Sequence, residues 1–135
     1  MHGRNGDAVG DLNSTHNRAV WFDIPVTDLH RAAEFYRAVL GVRVDKEEFG
    51  DSSIGVIEHK EGNGGCLVPD HEEIAAGGVL IYLNVDGRIR DAVEQVHPHG
   101  GTVIHPVESI GPHGFRAVIL DSEGNRVALH SNSDT

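Results

Sequence analysis

A single cysteine, Cys66, denies this chain any internal disulfide and fits a reducing compartment. Basic residues are scarce too: 11 Lys and Arg stand against 21 Asp and Glu, giving a formal net charge of −10 over 135 residues. Such a chain lacks the clustered cations that neutralise phosphates, which excludes nucleic acid as an expected partner. A cationic small molecule would suit the charge, although an acidic balance is ordinary in soluble proteins. No apolar run reaches spanning length and no leader pattern opens the chain, so the expectation is a soluble, cytoplasmic protein without membrane contact. At this length the chain forms one domain that can bury a core without staples.

What the sequence does contain is an internal echo. Ala19 to Val44 and Gly78 to Ile104 carry the same pattern about sixty residues apart. In the first copy Phe22, Ile24 and Val26 alternate with Trp21, Asp23 and Pro25, which predicts a strand. Thr27 or Asp28 then caps a helix whose buried stripe is Leu29, Ala32, Ala33, Tyr36 and Leu40, opposite His30, Arg31, Glu34 and Arg37. Gly41 ends that helix as a left-handed residue, and Val42 to Phe49 returns as a strand. In the second copy Val79, Ile81, Leu83 and Val85 alternate with Leu80, Tyr82 and Asn84. Asp86 is placed to cap a helix buried on Ile89, Ala92, Val93 and Val96, and Thr102 to His105 begins the next strand. Two further apolar runs follow each copy: Ser53 to Glu58 and Gly65 to Val68, then Phe115 to Leu120 and Arg126 to His130. The predicted unit is β-α-β-β-β, present twice: module 1 over about 18–70, module 2 over about 77–131. Residues 1–17, polar, glycine-rich and aperiodic, are expected to be a disordered tail, and 132–135 a short one.

The strand parities divide the residues further. Phe22, Ile24, Val26, Val79, Ile81, Leu83, Val85, Val127 and Leu129 form a uniformly apolar parity, expected beneath the helices. The opposite parity carries Trp21, Asp23, Leu80, Tyr82, Asn84, Ala128 and His130, apolar walls with a few polar handles. That composition fits a ligand-holding face, and equally a face open to water or covered at a dimer interface. Other histidines carry less. His71-Glu72-Glu73-Ile74-Ala75 has alanine where a zincin helix needs its second histidine, and Pro98 keeps His97 and His99 from sharing a helical face. His105 and His113 flank a loop, Pro106 to Gly114, placed to cover the mouth of the pocket. Gly62 to Gly65 has no helix or lysine after it and is not a phosphate loop, while Cys66 has neither a CxxC partner nor a visible base.

The segment Phe22 to Leu29, with Phe35-Tyr36, Leu40-Gly41, Gly114-Phe115 and Asp121 to Val127, resembles the vicinal oxygen chelate superfamily: glyoxalase I, extradiol dioxygenases and bleomycin-resistance proteins. The resemblance covers Arg18 to about Ser131, nearest to the bacterial group described as related to lactoylglutathione lyase. It implies an α+β fold in which the two modules build a curved mixed-sheet cup with helices on its outer face, usually in a homodimer. Metal-using members place His or Glu ligands on the first, fourth, fifth and eighth strands. Carried over, those positions fall on Trp21, on Cys66 or Leu67, on Leu80 and on Ala128. Indole, leucine and alanine do not coordinate a divalent ion, and one thiolate would not hold it alone. No metal or other cofactor is therefore expected, with a divalent metal at a displaced site as the alternative.

Two readings follow. In the first the chain is a metal-independent small-molecule-binding protein, with Trp21, Asp23, Leu80, Tyr82, Asn84, Ala128 and His130 around the ligand. Trp21 beside Asp23 would suit a planar or cationic ligand. In the second it is a lyase, isomerase or dioxygenase-type enzyme using a relocated metal or an Asp23/His130 acid-base pair, since both residues keep cup parity one pleat beyond Trp21 and Ala128. Glyoxalase I activity itself is disfavoured by the missing ligands.

Overall fold

The computed structural model describes residues 19–135; the expected tail over 1–17 lies outside the described residues. The first module opens with β1 (Trp21–Val26), whose alternation buries Ile24 and Val26 and leaves Asp23 in water. Asp28 caps α1 (Leu29–Leu40) by accepting from the Arg31 amide at 3.0 Å. At the other end Gly41, at φ 70°, donates its N–H to the Arg37 carbonyl, a conformation that a side chain would strain. Then come β2 (Val44–Phe49), β3 (Ser52–Ile57) and β4 (Gly64–Pro69). The second module repeats the order with β5 (Tyr82–Asn84), α2 (Ile89–Val96), β6 (Thr102–Ser109), β7 (Phe115–Leu120) and β8 (Arg126–Ser131).

The strands form two four-stranded mixed sheets of identical topology, β1-β4-β3-β2 and β5-β8-β7-β6. In each, the first strand pairs parallel with the last and the other pairings are antiparallel. The fold is α+β, built from paired β-α-β-β-β modules. Both helices cover one side, so the modules share one core containing Ile24, Phe35, Tyr36, Leu67, Ile89, Ile119 and Leu129. Phe35 and Val39, outside the expected stripe of α1, are fully buried because α1 packs against α2 as well as against its own sheet.

Side chains cross between modules to join them. Glu123, in the turn between β7 and β8, accepts from the Thr27 and Asp28 amides and from the Arg31 guanidinium, covering the open N-terminus of α1. Arg88 serves the other end of the same helix, donating to the Val39 carbonyl at 2.6 Å. Tyr36 donates to the buried Asp121 carboxylate at 2.6 Å, and Asn125 Nδ2 donates to the Pro25 carbonyl at 2.7 Å.

Some expectations need correction. Val79 is not a core residue but 87% exposed, and β5 begins only at Tyr82. Its one partner, β8, gives out there: the Ala128 amide reaches back only to the Ile81 carbonyl, and the preceding Gly77-Gly78 turn holds the chain in water. Asp86 does not cap α2, whose N-cap is Arg88 without a side-chain cap. The Asp86 carboxylate instead accepts from the Asn132 amide at 2.7 Å, which ties down the first residue of the expected C-terminal tail, and Arg90 pairs with Asp134. β6 runs on to Ser109 with register irregularities, which suit an edge strand containing Pro106.

Candidate functional site

The face away from the helices collects the mixed parity. Register across the second sheet sets Tyr82 beside Ala128 and Val118, and Asn84 beside His130 and Arg116. Over the end of this sheet folds the 110–114 turn, closed by a bond from the Ile110 amide to the Gly114 carbonyl at 2.8 Å. Gly114 is at φ +99°, and a Cβ there would meet the Ser131 carbonyl at 2.5 Å, so only glycine lets the turn lie this close to β8. The closeness brings the His113 carbonyl to His130, whose Nε2 donates to it at 2.7 Å, leaving Nδ1 as the acceptor of the neutral ring. Between turn and sheet lies an open cavity of about 570 Å³ lined by Tyr82, Leu83, Asn84, Ile110, His113 and His130.

Polar partners orient these walls. Tyr82, 46% exposed, accepts from Arg116 Nη1 at 2.6 Å, and Arg116 Nε donates to Glu108 at 3.2 Å; the phenol is the leading cause that holds the guanidinium firmly protonated. The Asn84 carbonyl oxygen accepts from the Asp86 amide at 2.8 Å, which fixes the side-chain flip and leaves its NH₂ as donor. The Tyr82 and His130 rings meet edge to face with centroids 6.5 Å apart.

Of the residues singled out from the sequence, Tyr82, Asn84 and His130 meet around this cavity with His113 of the covering turn, and Trp21, Asp23, Leu80 and Ala128 do not line it. Trp21 stands edge-on to His59, centroids 5.5 Å apart. Asp23 accepts from the Cys66 thiol at 3.3 Å and lines a separate cavity of about 160 Å³ with Pro25, Val79 and Arg126. The expected Asp23/His130 pair is therefore not assembled: the two side chains face different cavities and hold different partners. Leu80 is half-buried ahead of β5, and Ala128 is fully buried.

Residues that the sequence reading missed include Arg116 and Ile110. Alternation along β7 sets Arg116 on the same face as Val118, but its place opposite His130 is a matter of pairing that no local pattern encodes.

The positions at which the resemblance sets metal ligands do not fit a divalent ion. Leu80 and Ala128 have no donor atom and the Trp21 indole only gives a proton. Burial pushes the Cys66 thiol up to about 11, so it stays protonated at neutral pH. Among the described residues, no three His, Cys, Asp or Glu side chains come together as a ligand set.

Comparison with known proteins settles the family. The family model of the glyoxalase/bleomycin resistance protein/dioxygenase superfamily matches residues 18–129. The chain belongs to this superfamily. A glyoxylase-like domain-containing protein from Didymella fabae is 31% identical over 122 residues, covering 84% of this chain and 93% of that protein. Solved structures share the superfamily fold at low identity. A glyoxalase/bleomycin resistance protein from Albidiferax ferrireducens T118 has a TM-score of 0.68 at 15% identity, covering 85% of this chain and 98% of that one. A glyoxalase-related enzyme from Fulvimarina pelagi gives 0.64 at 16% identity, over 85% and 88%. Within the superfamily fold, the cavity described above lies on the sheet face opposite the helices.

Proposed function

We propose that this superfamily member is a small-molecule-binding protein that holds its ligand without a metal ion, in the cavity between β5, β8 and the 110–114 turn. The observation that carries the reading is the convergence of Tyr82, Asn84 and His130 on one open cavity of about 570 Å³, a size suited to a small organic ligand. Apolar surface from Ile110 and the Tyr82 ring supplies contact area, and the three polar side chains supply orientation. Trp21 and Asp23 belong to the other half of the cup and would meet only a ligand long enough to cross to it. An acid-base reading through Asp23 and His130 gains no support from their separate partners.

The reading extends to a homodimer, usual in the group that the sequence resembles, in the cytoplasm, whose reducing conditions suit a single cysteine; sedimentation at micromolar concentration tests the pairing. Among the described residues, no helix is long and apolar enough to cross a membrane.

A fragment screen by protein-observed NMR tests the central claim. Hits are expected to shift Tyr82, Asn84 and His130 together, and Tyr82→Ala or His130→Ala to remove those shifts in a folded protein. Hits gathering instead at Asp23 and Arg126, or tight stoichiometric zinc, nickel or manganese after equilibrium dialysis, would overturn it.

A further inference from the structure

The cavity's hydrogen-bonding sense carries the reading above one step further, to the class of ligand. To reach Tyr82 on β5 from its own place on β7, Arg116 has to cross β8 diagonally, from opposite His130 to the residue paired with Ala128. Ala128 is also where the family resemblance sets a metal ligand. A guanidinium is thus bonded to the residue paired with that position.

The acceptor atoms near the cavity are largely taken. The Tyr82 oxygen receives Arg116, the Asn84 carbonyl oxygen receives the Asp86 amide, and the His113 carbonyl receives His130. What the lining still offers is mainly donors, the Tyr82 hydroxyl proton and the Asn84 NH₂, beside His130 Nδ1 as an acceptor, while Arg116 stands behind Tyr82. Glu108 takes one Arg116 N–H and offsets part of its charge, but a guanidinium has five N–H groups to give. A donor-rich wall leaves a cationic ligand's N–H groups without partners and satisfies an oxyanion's lone pairs. The flat edges of Tyr82 and His130 with Ile110 favour a compact apolar body behind that oxyanion.

We infer that Tyr82, its hydroxyl held by Arg116, and Asn84 bind the oxyanion of a small organic acid, with the guanidinium supplying positive charge one hydrogen bond behind the cavity wall. The preference is opposite in sign to the one that the chain's net charge of −10 suggests. This inference rests on the proposed ligand cavity, and its test separates the two.

Benzoate, benzamide and benzamidine share one ring and carry a negative, a neutral and a positive group, so NMR titration of the full chain with each isolates the charge. Benzoate is expected to bind tightest, shifting Tyr82, Asn84 and His130, and benzamidine weakest. Arg116→Met should weaken benzoate several-fold, because the positive charge behind the Tyr82 hydroxyl is lost, and leave benzamide within about twofold. Tyr82→Phe, at an exposed position where folding is not at risk, should weaken benzoate while sparing benzamidine. Equal binding of the three probes, or benzoate binding indifferent to both substitutions, overturns the organic-acid assignment and leaves the cavity standing. No shift at these residues with any probe overturns the cavity as well.

Discussion

Glu123 joins the two modules, and its removal tests how the fold holds together. Its side chain is buried, yet it is ionised, because it accepts from Arg31, from the Asp28 and Thr27 amides and from the Ser122 hydroxyl. Burial works against the charge; the Arg31 guanidinium and the backbone donors outweigh it and hold the carboxyl down at about 2, against an ordinary 4.5. That difference corresponds to about 3 kcal/mol of stability at neutral pH. Arg31 is 50% exposed, so water screens part of its pull, and about 2 kcal/mol is the better expectation for Glu123→Gln. The folded-state carboxyl titrates below the unfolded one. Its contribution is therefore complete above about pH 4.5 and is lost as pH falls towards 2, with about 1 kcal/mol gone by about pH 3.5. Urea unfolding of both proteins at about pH 6.5 and pH 3.5 should show the gap between them narrowing by that amount. A gap under about 0.5 kcal/mol, or one that does not change with pH, would refute the reasoning and reduce the contact to an ordinary surface pair.

Two other substitutions probe the interior. Tyr36→Phe removes the buried donor to Asp121, which keeps the Glu123 and Asn125 amides and Asn125 Nδ2, so the expected cost is about 1–2 kcal/mol in urea unfolding. An unchanged midpoint would mean that those three donors already satisfy the carboxylate. Cys66, its thiol pushed up to about 11 by burial, should react with iodoacetamide far more slowly than a free cysteine at about pH 8, the rate climbing only as pH nears that value. Rapid labelling at neutral pH would show instead that the thiol is exposed or activated.

Much of the architecture was legible in the chain. Alternation of period two in β1, the Asp28 cap and the Gly41 stop are local consequences of side-chain direction and backbone sterics, and the same pattern twice implied two like modules. Parity set Trp21, Asp23, Leu80, Tyr82, Asn84, Ala128 and His130 on one face, because a strand's faces follow from counting residues, but not which of them share a cavity. Counting failed where a partner was missing. Val79 continues the alternation of β5 yet stands in water, since a strand persists only as far as another strand bonds to it. Asp86 has the chemistry of a cap, but the Gly87 that follows it turns the chain so that its carboxylate meets Asn132.

By itself, then, the sequence determined most of the secondary structure, the duplicated module and which residues share a face where a strand forms, all properties of neighbours a few positions apart. Tertiary structure alone decided that Asp23 and His130 hold separate partners, that Arg116 spans β8 to Tyr82, and that Glu123 closes the N-terminus of a helix 95 positions away. Such contacts depend on sheet register and on the docking of one module against the other, and neither leaves a periodic mark along the chain.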